Sequence, residues 1–328
     1  MVFIPKVKSR KSKKSGRGPG PAARGKYGFE DVPCNLCGKN DYSIVFEATE
    51  IPEKRHISFS ETYSAASFEV CQDQVVKCNN CGLVYINPRV KSNQIVEGYS
   101  EAVDENYVSQ AETRALTFRH GLGTIERLAG GKGKILDVGC AGGLFVKEAR
   151  DAGWDAYGVE PCKWLVDWGV KNHRLNLKAT TLEKAKYPSN YFDVVTLWDV
   201  LEHVPDPKAT LEECNRILKP NGLVVVNYPN WGSRLAQFFG RKWWFLLSIH
   251  LYYFTPKTIK KMLEVTGYEQ VFTKRHFQQL YLDYFLFRAK QYFPWLAGPM
   301  LSIAQAAKFD KTPVKYYASQ QLVVGKKE

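Results

Sequence analysis

The stretch "KILDVGCAGGLFVKEARDAGWDAYGVE" (134–160) restricts the fold more than any other part of the sequence. It reads as an apolar strand (134–138), a glycine-containing loop (139–143), a helix (about 144–151) and a second strand (155–160). Strand, helix and strand in this succession indicate two parallel strands joined by a crossover helix. We therefore expect an α/β protein with a mostly parallel, doubly wound sheet and helices on both faces.

The ligand of that loop is indicated by the acids that end the two strands. Asp137 stands just inside the end of the first strand, and Glu160 closes the second, 21 residues after Gly139. A phosphate-binding P-loop is excluded because no Gly-Lys-Ser/Thr follows, and the dinucleotide pattern fits poorly because Ala141 replaces its second glycine. A carboxylate at 137 would repel a pyrophosphate but suits an ammonium group, while Glu160 suits ribose hydroxyls. S-adenosylmethionine has an ammonium group, a ribose and a sulfonium, and is the predicted cofactor.

Four motifs follow one another in the order and spacing of one enzyme family. They read "LDVGCAGG" (136–143), "GVEP" (158–161), "FDVVTLWDVLEHVPDP" (192–207) and "ILKPNGLVVVNYPN" (217–230). Over about 130–275 the chain therefore resembles the class I S-adenosylmethionine-dependent methyltransferases. The resemblance implies a Rossmann-like domain with a seven-stranded sheet, and an enzyme that transfers a methyl group.

The same resemblance implies which residues hold the cofactor. Asp137 would face the methionine end, Glu160 the ribose and Trp198 the transferred methyl. Tyr99 and Tyr107, in the helical linker, would close over the cofactor, although ordinary packing is an equal explanation for them. The full set implied is Asp137, Gly139, Cys140, Ala141, Gly143, Glu160, Thr181, Leu182, Trp198, Tyr99 and Tyr107, with Thr181 and Leu182 beside the adenine.

Ionisable residues follow the fourth predicted strand, where it opens into the cleft. Asp199, Glu202 and His203 come directly after its apolar run, and the carboxyl ends of parallel strands border the ligand. A base near neutral pKa assists transfer to a hydroxyl or an acidic C–H, so His203 is the predicted base, oriented by Glu202 or Asp199. The alternative is that this group only anchors the loop. His250, in "HLYYFTP", is a second candidate for a base or a substrate contact.

Two matched cysteine turns, "CNLCG" and "CNNCG", precede this domain. A single C-x-x-C could be redox-active, but two turns 40 residues apart predict a closed tetrahedral zinc site with a structural role. Cys71 and His56, between the turns, are interpreted as ordinary residues. The ligands of this zinc-ribbon-like module are Cys34, Cys37, Cys78 and Cys81.

The second turn continues as "CNNCGLVYINPR". A module of this kind before a methyltransferase domain resembles sugar C-methyltransferases and related enzymes of polysaccharide and secondary-metabolite clusters. Those enzymes usually carry a further large C-terminal domain, which is not expected here. The implied substrate is a small molecule, a sugar or nucleotide-sugar, methylated on carbon or oxygen. RNA methylation and a non-catalytic zinc-containing scaffold are the alternatives.

The formal charge of +13 is concentrated near the N-terminus, where residues 1–27 hold nine Lys or Arg and no acid. The remaining residues carry 37 bases and 33 acids, so nucleic-acid contact is expected only through this tail. Solubility, RNA or an anionic membrane surface would each explain the tail. Without an apolar leader or an apolar run of about 18 residues, the protein is expected to be cytoplasmic and not to span a membrane.

The chain is thus predicted to have five parts: a disordered basic tail (1–28), the zinc module (29–90), a helical linker or cofactor lid (91–130), the methyltransferase core (131–276) and an aromatic helical insertion with the last strand (277–328). We expect the aromatic segment 277–308 to pack as a lid over the cleft; the alternative is that it lies in a membrane interface, as a peripheral contact. The oligomeric state is left open.

Overall fold

A computed structural model describes residues 28–49, 70–101, 111–290 and 293–328. The predicted basic tail up to residue 27, as well as His56 and Tyr107, lie outside the described residues. Within the described part, no helix combines the length and the apolar character that crossing a bilayer requires.

The strands are labelled in chain order. They are β1 Phe29–Glu30, β2 Tyr42–Phe46, β3 Val75–Cys78, β4 Val84–Ile86, β5 Arg89–Val90, β6 Lys134–Val138, β7 Asp155–Glu160, β8 Leu177–Ala179, β9 Phe192–Trp198, β10 Leu218–Pro229, β11 Tyr252–Tyr253, β12 Tyr268–Tyr281 and β13 Pro313–Lys327.

The helices are labelled in the same way. They are α1 Ser92–Glu101, α2 Ala111–Ala129, α3 Leu144–Asp151, α4 Lys163–His173, α5 Pro207–Ile217, α6 Arg234–Phe239, α7 Pro256–Val265, α8 Leu282–Ala289 and α9 Pro294–Ala306, with 3₁₀ turns at Glu183–Ala185 and Gly240–Lys242. Helix α7 begins at a capping turn: Thr255 Oγ1 accepts from the backbone N–H of Thr258, and Pro256 takes the first helical position.

The central sheet has seven strands in the order β12-β13-β10-β9-β6-β7-β8. Strands β8, β7, β6, β9 and β10 are parallel, and β13 runs antiparallel between β10 and β12. The predicted fold class, a mostly parallel seven-stranded α/β sheet, is therefore confirmed.

Helices cover both faces of this sheet because its inner strands are apolar on both sides. Alternate residues of β6 and β9 point to opposite faces, so Leu136 and Leu197 lie in one core cluster while Ile135 and Val194 lie in another. Helices α5 and α7 pack in the first cluster, and α2 and α3 pack in the second. The carboxyl ends of β6, β7 and β9 remain open between these layers.

The N-terminal part does not form a separate unit at 29–90, because it shares a sheet with the core. Strand β11 pairs antiparallel with β4 in the four-stranded sheet β11-β4-β3-β2. The buried Arg89 donates to Tyr252 Oη at 2.9 Å and to the Pro205 carbonyl at 3.0 Å, and Asn35 Nδ2 donates to Asp206 Oδ1 at 2.8 Å. The module therefore holds the loop that follows β9.

The C-terminal boundary expected at 276/277 falls inside β12, which continues to Tyr281 opposite Pro313 of β13. Only then do α8 and α9 leave the sheet, and they pack against each other through Leu286, Ala297 and Ala304. The long strand was missed because polar residues on its more buried face, such as Lys274 and Gln278, hide its period of two.

Candidate active site

One cavity of about 710 Å³ lies at the carboxyl ends of β6, β7 and β9. Helices α1 and α2, from the predicted linker, border it through residues such as Tyr99 and Phe118. Of the segment 277–308, Gln278, Gln279 and Leu280 at the end of β12 line the cavity, whereas none of the described residues of α8 or α9 does. The part of this segment that borders the cavity is therefore a strand, and the helical lid stays a prediction. The predicted residues that line the cavity are Asp137, Gly139, Cys140, Ala141, Glu160, Thr181, Leu182, Trp198, Tyr99, Asp199, Glu202, His203 and His250.

Among the described residues of the predicted cofactor and catalytic sets, only Gly143 does not line the cavity. It caps α3 with φ of 75°, and a Cβ there would meet Leu175 Cδ1 at 2.7 Å. Its role in this structure is therefore to let the loop turn into α3 beside β8.

The loop after β6 turns tightly because three of its residues, Gly139, Ala141 and Gly143, have left-handed backbone. Gly139 has φ of 65°, and a Cβ there would meet Val200 Cγ2 at 2.7 Å, while Ala141 has φ of 47°. The backbone N–H groups of Gly139 and Cys140 both donate to the Val159 carbonyl, at 2.8 and 3.1 Å. Strands β6 and β7 thus fix the loop at the edge of the cavity.

Glu160 ties this loop to the turn after β7. Its carboxylate accepts from the backbone N–H of Ala141 at 3.0 Å and from that of Cys162 at 2.9 Å. A carboxylate has about four acceptor positions, so Glu160 can hold the loop and still accept from ribose hydroxyls. The predicted ribose role is compatible with this geometry.

Asp137 is a buried carboxyl at the cavity wall, with 3% of its surface exposed. The Thr196 hydroxyl donates to Asp137 Oδ1 at 2.7 Å. Burial raises the pKa of Asp137 to about 8, and the Thr196 hydroxyl opposes that shift. A ligand ammonium group would favour the ionised form, so the site fits the predicted cofactor.

Trp198 forms an aromatic wall at the end of β9. Its ring centroid lies 5.2 Å from that of Phe145 and 5.7 Å from those of Phe118 and His276. Helix α2 approaches so closely that a Cβ at Gly121 would lie 2.5 Å from Trp198 Cη2. The indole Nε1 is buried and has no hydrogen-bond partner among the described residues.

Asp199 continues the wall with φ of 53°, a backbone conformation that Asp tolerates better than most residues. Its Oδ1 accepts from Asn227 Nδ2 at 2.8 Å and from Gln320 Nε2 at 2.5 Å. Burial raises the pKa of Asp199 to about 7, and the positive charge of Arg114 opposes that shift. This network makes Asp199 a wall residue rather than the partner that orients His203.

Sequence reasoning missed Asn227, Gln320, Arg114 and His276, which all line the cavity. A signal existed for the first two, because each is a polar residue within an apolar strand, in "VVVNYP" and "SQQLVVG". The other two have no such signal, since only the sheet order and the packing of α2 bring them to the cavity.

Glu202, His203 and His250 form a compact group, in which His203 is half-buried and the other two are buried, and one ligand atom from each lies within 4.8 Å of the others. His203 Nδ1 lies 3.1 Å from the Ile249 carbonyl and 2.7 Å from Tyr99 Oη. Burial lowers the pKa of His203 well below its usual value and that of His250 to about 4, so both rings are neutral at pH 7. These residue types could hold a metal ion.

The sulfur atoms of the four predicted zinc ligands also lie close together. Cys34 Sγ lies 3.4 Å from Cys81 Sγ, Cys37 Sγ lies 3.5 Å from Cys78 Sγ, and all four sulfurs lie within 4.8 Å of one another. Zn–S bonds of about 2.3 Å in a tetrahedron separate the sulfurs by roughly 3.8 Å, so the cluster fits such an ion. None of the eight cysteines is in a disulfide.

Comparison with known proteins gives three kinds of match. The family described as "Methyltransferase domain" matches residues 107–272. The curated relatives include ubiquinone biosynthesis O-methyltransferases of Coxiella burnetii (35% identical, over 30% of this chain and 45% of the relative) and of Nitrosospira multiformis (35% identical, over 33% and 48%). This chain thus spans a little under half the length of these relatives.

Solved structures with a similar fold include a SAM-dependent methyltransferase from Archaeoglobus fulgidus, at 17% identity and a TM-score of 0.47, covering 68% of this chain and 100% of that one. Another is a possible histamine N-methyltransferase from Thermotoga maritima, at 16% identity and a TM-score of 0.46, covering 68% and 94%.

Proposed function

This chain belongs to the methyltransferase-domain family, and on that premise we propose that it transfers a methyl group from S-adenosylmethionine to a small polar acceptor of the sugar or nucleotide-sugar class. One observation carries the proposal: Asp137 and Glu160 line the same cavity as Glu202, His203 and His250. Donor and acceptor groups would therefore meet in one enclosed space. The bound cofactor supplies a methyl carbon made electrophilic by its sulfonium.

The protein residues at the donor end bind and align. Asp137 pairs with the ammonium group, Glu160 accepts from the ribose hydroxyls, and Thr181 and Leu182 border the adenine. The Trp198 ring lies beside the methyl group that is transferred. Displacement at carbon requires the reacting atoms to be in line, so this alignment is the main contribution of the chain to the rate.

The acceptor end supports a hydroxyl-rich ligand. Trp198 Nε1, Asn227 Oδ1, Gln320 Oε1 and both carboxylate oxygens of Glu202 are buried without hydrogen-bond partners among the described residues, and all four residues line the cavity. An apolar acceptor would leave these groups unsatisfied, at about 1–3 kcal/mol each. A sugar offers both donors and acceptors. The curated relatives are named O-methyltransferases, which favours oxygen over carbon as the methylated atom.

His203 is the residue that we propose to receive the acceptor's proton. We assign the proton of the neutral ring to Nδ1, which lies 3.1 Å from the Ile249 carbonyl, and this assignment leaves the lone pair at Nε2. His250, with a ring centroid 4.6 Å away, is the second group within reach.

Calorimetry with S-adenosylhomocysteine tests the donor end. The Asp137→Ala and Glu160→Ala variants should each bind at least tenfold more weakly than the wild type, because each loses a charge-assisted contact. Asp155→Ala is the matched control, since this acid lies at the opposite end of β7, half exposed. Unchanged affinity in the Asp137/Glu160 double variant would overturn the proposal.

The acceptor class is tested with the labelled methyl donor. Wild-type protein is incubated with nucleotide-sugars and with phenols, and the labelled products are identified by mass spectrometry. Transfer to sugars supports the proposal, whereas transfer to phenols alone refutes the sugar class and leaves methyl transfer intact.

We also propose that the cysteine cluster (Cys34, Cys37, Cys78, Cys81) holds a structural Zn²⁺. The sulfur geometry supports it, and with four protein ligands the site leaves no open position for chemistry.

Finally, we propose that the hairpin of α8 and α9 contacts an anionic membrane surface. Its outer face carries large apolar side chains, with Trp295 74%, Phe287 65% and Ile303 62% exposed. The exposed Lys290 and Lys308 accompany them, and this combination of aromatic and basic groups suits an anionic interface.

Sedimentation with phosphatidylglycerol vesicles tests this contact. Wild-type protein should sediment with these vesicles, and a Phe287→Ser/Trp295→Ser variant should not. Phe238→Ser is the control, because Phe238 is 83% exposed but lies on α6. Equal sedimentation of the double variant and the wild type contradicts the contact.

A further inference from the structure

We propose that Glu202, His203 and His250 bind one divalent transition-metal ion of the Zn²⁺ class at the acceptor end of the cavity, separate from the cysteine cluster. Binding of the ion does not depend on the proposed function; its role in methyl transfer does. Three protein ligands would leave at least one position open to the acceptor.

The two imidazoles are oriented as metal ligands are. His203 Nδ1 lies 3.1 Å from the Ile249 carbonyl, and His250 Nδ1 lies 2.8 Å from the Phe245 carbonyl. A carbonyl oxygen only accepts, so a hydrogen bond to it assigns the ring proton to Nδ1 and the lone pair to Nε2. In His203, Tyr99 Oη, 2.7 Å from the same Nδ1, then acts as a second acceptor. A metal-bound histidine typically donates its other N–H to a carbonyl or carboxylate in this way.

Glu202 supplies the negative charge. It is 1% exposed, and neither carboxylate oxygen has a hydrogen-bond partner among the described residues. A buried carboxylate without a partner is costly unless a cation or a proton neutralises it. Because Glu202 Oε1 and Oε2 make no hydrogen bond to His203 or His250, the three groups are not a hydrogen-bonded relay.

The backbone holds the three side chains together before any ion binds. The carbonyl of Glu202 accepts from the N–H of Leu251 at 2.8 Å and from that of Tyr252 at 3.2 Å. This joins the loop after β9 to the segment that carries His250. The ring centroids of His203 and His250 are 4.6 Å apart at an interplanar angle of 81°, so the rings do not stack face to face.

A histidine whose Nε2 lone pair binds the ion cannot also accept a proton there. With the ion bound, the proton-accepting role proposed above for His203 therefore passes to solvent. An acceptor hydroxyl at the open position of the ion would become more acidic and lose its proton to solvent. The oxygen would then form its bond to the methyl carbon as the carbon–sulfur bond breaks, and S-adenosylhomocysteine would leave.

Metal content distinguishes this site from the cysteine cluster. Wild-type protein is equilibrated with Zn²⁺, dialysed and analysed by mass spectrometry, and two equivalents per chain are expected. Glu202→Gln and His250→Ala should each lower this to about one. His276→Ala is the matched control, because His276 is a buried histidine of the same cavity outside the cluster, and it should keep two.

Co²⁺ titration provides the second measurement. One equivalent should give thiolate charge-transfer absorption from the cysteine cluster, and the second should add only ligand-field bands that are lost in the Glu202→Gln variant. Wild-type protein with a single equivalent, or a Glu202→Gln/His250→Ala double variant that keeps two, overturns the inference. S-adenosylhomocysteine affinity is measured on the same samples, so failure of the metal site and failure of the donor site remain distinguishable.

Discussion

Binding of S-adenosylmethionine should release a proton from Asp137. In the free protein, burial raises the pKa of this carboxyl to about 8, so roughly nine in ten molecules are protonated there at pH 7. The ammonium group of the ligand favours the ionised form, so binding should expel about 0.9 proton at pH 7 and about 0.5 at pH 8. Affinity should therefore fall as pH decreases below 8, by close to tenfold from pH 7 to pH 6.

Calorimetry in pairs of buffers with different ionisation enthalpies measures this release directly. The control is Asp137→Asn, which keeps the shape of the protonated carboxyl and cannot ionise. It should bind weakly, release no proton and show no change in affinity between pH 6 and pH 8. Wild-type protein that releases no proton at pH 7, or that shares the pH dependence of Asp137→Asn, would refute the reasoning.

Three further outcomes are expected. A Cβ at Gly123 on α2 would meet open space, so Gly123→Ala should raise the free energy of unfolding in urea by up to about 1 kcal/mol. A Cβ at Gly121 would press on Trp198, so Gly121→Ala should be about 1–3 kcal/mol less stable than Gly123→Ala. Equal stabilities of the two variants would contradict this packing. Removing metal from the cysteine cluster with a chelator should lower the free energy of unfolding by at least ~3 kcal/mol, and an unchanged melting curve would argue against a structural ion. Arg89→Met removes the contacts to Tyr252 and Pro205 and should lower the free energy of unfolding in urea by about 2–3 kcal/mol. A decrease below ~0.5 kcal/mol would show that these contacts do not hold the loop after β9.

The parts of the fold that follow from short sequence ranges were predictable. The run from β6 to β7 was predicted within a residue, because an apolar strand, a glycine loop and an acid at a strand end leave few alternatives. The gathering of Asp137, Glu160 and His203 also followed, because parallel strands bring their carboxyl ends to one edge.

The rest depends on pairings between distant segments, which have no local signal. The pairing of β11 with β4 joins residues more than 160 positions apart. Gln320 reaches Asp199 only because β13 inserts between β10 and β12. The position of α8 and α9 was not predictable for a related reason: the aromatic residues at 282–306 show that the helices have an apolar face, but not which surface that face meets.

The shared sheet between β4 and β11 also limits how the protein can be divided. A fragment lacking the first ninety residues would lose the ladder partners of Tyr252 and Tyr253 and the side chain of Arg89. It would uncover aromatic surface two residues from His250. A design that joins the α/β domain to a different N-terminal module should therefore carry over both β4 and β11.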